Sequence, residues 1–108
     1  MYVRGDIVFY QNLNSYSKID GKTGQVQWTS NDVGIGLGHA GETSTHYIVY
    51  DDGELFFLNK NSGELYARLS TSKNNTEFDV IRGSMCVDEE SGHLVYSDNN
   101  DIVCVELP

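Results

Sequence analysis

A chain of 108 residues has room for one domain with a single modest core, and none for separate catalytic and binding domains. Its 39% hydrophobic content and 11 glycines are ordinary for a globular protein and exclude a disordered chain. With 16 acidic against 7 basic residues the formal charge is −9, which repels nucleic-acid phosphates and anionic membrane surfaces and favours basic partners.

The chain opens with MYVRGDIVFY, where Arg4 and Asp6 interrupt any apolar core that a signal peptide would need. No run approaches the ~18 apolar residues of a membrane span. The expectation is a cytoplasmic protein without membrane contact. Alanine occurs only at positions 40 and 67, and no apolar set recurs at helical spacing over three turns. Short apolar runs bounded by turn formers follow one another instead: DIVFY, HYIVY, ELFFL, ELYARL, HLVYS and DIVCVEL. These are strands, and several are continuous enough to be covered on both faces.

Between the first strands and HYIVY lies GLGHAGET, in which Gly36, Gly38 and Gly41 satisfy G-x-G-x-x-G and Glu42 stands where a P-loop has its lysine. A phosphate-binding glycine loop leads into a helix whose N-terminal amides hold the anion. This one leads into a strand, and Glu42 adds a negative charge, so the reading is backbone close packing and no nucleotide. His39, His46 and His93 fall in different segments without ligand spacing, which gives no metal site. His39 beside Glu42 reads as a solvated loop. The acidic turns do not complete a calcium loop, because Ile102 occupies a ligand position after Asp98. Cys86 and Cys104 lack C-x-x-C spacing and read as free, buried apolar residues; in an antiparallel meander HLVYS would separate them by two strand spacings, about 9 to 10 Å. Asn74, Asn75 and Thr76 form a sequon with no use inside the cell.

Self-comparison organises these segments. SYSKIDGKTGQVQW matches ELFFLNKNSGELYA at a shift of 39, with Ile19 over Leu58, Asp20 over Asn59, Gly24 over Gly63 and Val26 over Leu65. HLVYSDNNDIVCVE lies over YIVYDDGELFFLN with one extra residue allowed in the turn, which sets Asp51 and Asp52 over Ser97 and Asp98. Spacings of about 40 to 47 residues are those of propeller blades. The pattern Asp20, Thr23, Gly24, Trp28 resembles the pyrroloquinoline-quinone-type blade repeat, and GSMCVDEESGHLVYSDNNDIVCVE resembles the repeat of NHL-type propellers. The resemblance implies an all-β fold of antiparallel hairpins and meanders, a partial and open β-propeller, with residues 1–108 forming one domain of about two and a half blades. It also implies that Trp28 is buried. Closed propellers have four or more blades, so either several chains complete a ring, the fragment stands alone, or the sequence belongs to a longer one.

No motif demands catalysis, and the expectation is a protein that is not an enzyme and has no cofactor. In size and charge only, the chain is similar to immunity proteins that neutralise nuclease toxins. The expected interface comprises Tyr50, Asp51, Asp52, Glu54, Asp88, Glu89, Tyr96, Asp98 and Asp101, with carboxylates for steering and tyrosines for contact area. The alternative is a propeller protomer that forms a homo-oligomeric ring and binds a small ligand or sugar. An enzyme of quinone-dehydrogenase or lactonase type would need more blades than this chain supplies.

Overall fold

The computed structural model describes residues 2–12, 15–31, 38–51, 54–70, 85–98 and 101–108. These form antiparallel strands in three sheets and no helix, so no described helix is long and apolar enough to cross a membrane. The first sheet runs in the order β1 (Tyr2–Arg4), β2 (Ile7–Asn12), β3 (Ser15–Asp20) and β4 (Val26–Ser30). The second follows with β5 (Gly38–Glu42), β6 (His46–Asp51), β7 (Glu54–Asn59) and β8 (Leu65–Ser70). The third places β10 (His93–Asp98) between β9 (Cys86–Asp88) and β11 (Asp101–Glu106).

The sheets stack face to face, because the sequence supplies apolar residues on both faces of the middle one. Tyr47, Val49, Phe56 and Leu58 of the second sheet pack with Phe9, Tyr16 and Trp28 of the first. Ile48, Tyr50, Leu55 and Phe57, from its other face, pack with Leu94 and Tyr96 of the third. This is why HYIVY and ELFFL are continuous apolar runs rather than alternating ones. Trp28 is buried, as the blade resemblance implied.

The repeat is visible in the backbone. Gly21 N–H donates to Asp6 C=O at 2.7 Å, Lys60 N–H to Thr45 C=O at 3.0 Å and Leu107 N–H to Gly92 C=O at 2.8 Å, the same bond at the foot of each sheet. A bulge at Lys18/Ile19 recurs at Phe57/Leu58. The turns after β3 and β7 are built alike: the Asp20 carboxylate accepts from Lys22 N–H, the Asn59 side-chain oxygen accepts from Asn61 and Ser62 N–H, and Gly24 and Gly63 both sit at φ 77°.

Two expectations need correction. The β6–β7 and β10–β11 hairpins have equal length, with Asp51 opposite Glu54 and Asp98 opposite Asp101, so the extra turn residue does not exist. Asp51 therefore matches Asp98, and His46 matches His93. The cysteines are free and lie on β9 and β11, both opposite Val95 of β10, with the meander order expected; they are exposed rather than buried. Their row belongs to the outer face of the third sheet, which no described element covers. An alternating strand read alone does not tell which face has a neighbour.

Candidate functional site

Antiparallel alternation sends the connections of each sheet to two opposite ends. The β6–β7 and β10–β11 hairpins occupy one end, and the turns before β2, β6 and β10 and after β3 and β7 occupy the other. The expected acidic residues are thereby divided. Asp51 and Glu54, with Asp98 and Asp101, stand at the hairpin end at equivalent positions of adjacent sheets. Asp88 and Glu89 lie at the turn end. One continuous rim of all these acids is therefore excluded by strand direction. Asp52 lies outside the described residues.

Several expected contact residues are already committed inside the fold. Tyr50 and Tyr96 are 3% and 2% exposed in the core between the second and third sheets, so neither offers area to a partner. Their alternation with Val49 and Val95 points them at the neighbouring sheet, which the strand pattern alone did not reveal. Glu54 pairs with Arg68 at 2.5 Å, and the Arg68 guanidinium lies 5.2 Å from the centre of the Phe56 ring. Glu89 bridges two sheets, accepting from the Ser44 backbone N–H at 2.8 Å and the Ser44 hydroxyl at 2.9 Å. Asp88 closes its own turn, accepting from Glu90 N–H and the Ser91 hydroxyl. Of Asp98 and Asp101 the backbone register alone is described, and it sets them directly across the β10–β11 pair at the hairpin end.

The glycine segment corrects a further expectation: His39 and Glu42 lie on a paired strand rather than in a solvated loop, because the segment pairs with β6. Gly38–Glu42 is strand β5, followed by a short turn and β6, so no helix dipole faces a phosphate. Glu42 is held between cations, with Arg4 at 2.8 Å and Lys60 at 3.2 Å. Gly36 lies outside the described residues.

Sequence reading missed a cross-sheet lock at the turn end. The Trp28 indole N–H donates to Lys60 C=O at 2.9 Å, and the Lys18 ammonium donates to the same oxygen at 3.1 Å. Both lysine ammonium groups lie about 5 Å from the centre of the Tyr47 ring. A Cβ on Gly63 would overlap the Trp28 ring, so the glycine of one repeat receives the tryptophan of the preceding one. The signal was present in the paired motif, since Trp28 has Ala67 as its counterpart and only one of the two junctions can be built this way.

A shallow cleft of about 200 Å³ opens between the second and third sheets beside His46, Tyr66, Glu89 and Leu107. The His46 ring packs on Tyr66 with centroids 4.6 Å apart, and Thr45 Oγ1 lies 2.7 Å from His46 Nδ1. With one ring pair and no convergent set of charges, the cleft is a seam between blades.

No family model and no curated protein matches this chain. Among solved structures it is similar to BamB from Moraxella catarrhalis, a β-propeller, with a TM-score of 0.65 and 20% identity over 93% of this chain. The chain spans 30% of that protein's length. At this identity the likeness establishes a β-propeller-like fold.

Proposed function

We propose that this protein is a non-enzymatic binding module that takes a basic protein partner on the acidic hairpin end of its blades. The observation that carries the reading is the register of two adjacent hairpins, which sets Asp51 opposite Glu54 and Asp98 opposite Asp101 in a chain of charge −9. Like charges directly across a strand pair weaken the pair by a few tenths of a kcal/mol to about 1 kcal/mol. Their repetition in successive repeats favours a role outside the fold, where a negative end speeds encounter with a positive surface.

Within this class the reading favoured by size and charge is an inhibitor, acting in the cytoplasm in the manner of immunity proteins, whose partner is a nuclease-type toxin. A surface that binds nucleic-acid phosphates is basic, and an acidic module competes for it.

Native pull-down with mass spectrometry identifies the partner, and stopped-flow association then tests the mode of binding. The on-rate should fall steeply between ~50 and ~500 mM salt, as the Debye length shrinks from roughly 14 to 4 Å. Joint reversal of Asp98 and Asp101 to lysine should slow association further. Glu54 is a poorer probe because its reversal also breaks the pair with Arg68. An on-rate indifferent to salt and to the double reversal rejects the reading.

A further inference from the structure

The two junctions inside this chain are made by the same two kinds of face. Each sheet presents a forward face to the sheet that follows and a rear face to the sheet that precedes. The forward faces in use carry Phe9, Tyr16 and Trp28 in the first sheet and Ile48, Leu55 and Phe57 in the second. The rear faces in use carry Tyr47, Val49 and Leu58 in the second sheet and Leu94 and Tyr96 in the third. Among the described residues one face of each kind is left over: the rear face of the first sheet and the forward face of the third.

Both leftover faces keep part of the apolar character of their buried counterparts, with Ser17 at the position of Phe56 and Ser97 at that of Tyr50. On the rear face of the first sheet Val3, Val8, Ile19 and Val26 form one row across all four strands, with Tyr10 in the next row. Val8, Tyr10 and Ile19 correspond to Tyr47, Val49 and Leu58; Tyr10 is 45% exposed where Val49 is at 0%. On the forward face of the third sheet Val95, Ile102 and Cys104 correspond to Ile48, Leu55 and Phe57, and Ile102 is 81% exposed where Leu55 is at 0%. Val3, Tyr10, Val26 and Ile102, four of the five large apolar side chains exposed among the described residues, lie on these two faces, and clustered exposed apolar residues mark interaction surfaces.

We propose that the forward face of the third sheet packs on the rear face of the first sheet of a second copy, and the reverse, so that two chains close a six-sheet ring. The leftover faces are the two halves of a junction that the chain already makes twice, so a second copy supplies the complementary half in the correct direction. Propellers close with 4 to 8 blades. The described residues form three sheets, and two copies of them make six, which falls in this range. A closed ring also leaves no apolar face to propagate a filament, as a non-closing head-to-tail contact would. The inference rests on the packing of the blades and stands independently of any partner at the acidic end.

Charge and thiols make the test specific. Two copies of charge −9 repel each other, so salt should strengthen self-association, opposite to its effect on binding a basic partner. Both cysteines of the chain lie on the forward face of the third sheet, so their alkylation rate reports its occupancy. Sedimentation of the full chain should show a concentration-dependent species of twice the 12.1 kDa chain mass, favoured by salt. Thiol alkylation should slow about tenfold as this species forms.

Ile102→Asp and Val26→Asp, both at exposed positions, should each give a folded monomer with the circular dichroism and Trp28 emission of the wild type. An equimolar mixture of the two variants retains one unaltered junction and should recover part of the dimer. A wild-type chain that stays monomeric and alkylates freely at every concentration and salt overturns the proposal. So does a dimer that survives both substitutions, or an assembly heavier than two chains.

Discussion

Gly63 and Gly24 share a backbone conformation and differ only in what surrounds them, which separates two costs usually confounded. Both sit at φ 77°, yet a Cβ on Gly24 meets nothing within 4 Å whereas one on Gly63 runs into the Trp28 indole. Gly24→Ala should therefore cost about 1 kcal/mol, the penalty for a left-handed alanine. Gly63→Ala adds overpacking, for a total of about 2 to 4 kcal/mol, and should shift Trp28 emission to the red. Urea denaturation followed by tryptophan fluorescence measures both, and equal losses would contradict the lock. Tyr96→Ala belongs to the same scale. Since Tyr96 is buried between sheets, its truncation should lower stability by about 3 to 5 kcal/mol, read as a drop in denaturation midpoint, rather than quicken dissociation of a partner.

The sheets differ in how many of their faces are covered, and this orders their local stability. Strands β6 and β7 are central in the middle sheet, with Ile48, Val49, Leu55 and Leu58 at 0% exposure. Burying each such side chain contributes about 1.5 to 3 kcal/mol, so opening these strands costs nearly the whole fold. Strand β11 is an edge whose outer face is open in one chain. Amide exchange should show β6 and β7 protected to the level of global unfolding, with β11 exchanging through smaller openings. Protection of β11 that rises with protein concentration would accompany ring closure. Uniform protection across the sheets in a monomer would contradict the ordering.

Charge acts on the molecule as a whole, in directions that distinguish its competing states. A net −9 opposes compaction as well as self-association. The melting temperature of the monomer should rise between low and moderate salt even though the described ion pairs are weakened by screening, because the exposed pairs contribute only about 0 to 1 kcal/mol each and the half-buried Lys60–Glu42 pair is screened less. A monomer melting temperature that falls with salt would show that the pairs of Glu42 and Glu54 outweigh the general repulsion. The same titration separates the two kinds of association: a basic partner is lost as salt rises, whereas a second copy is gained.

The period of the strands, their turns and the blade repeat were legible in the sequence because they depend on local chemistry. Asp20 and Asn59 with their following glycines dictate a turn wherever they occur, and HYIVY and ELFFL are apolar at every position only because both faces are buried. The register of the third repeat was not fixed by its residues, since an acid-rich turn tolerates an added residue as easily as none; pairing of Asp98 with Asp101 decided it. Nor could alternation reveal which acids share an end, or that Tyr50 and Tyr96 point inward while Cys86 and Cys104 point outward. A strand pattern defines two faces but not their neighbours. That choice is made by the order in which the sheets stack, and so by contacts between residues that the sequence keeps far apart.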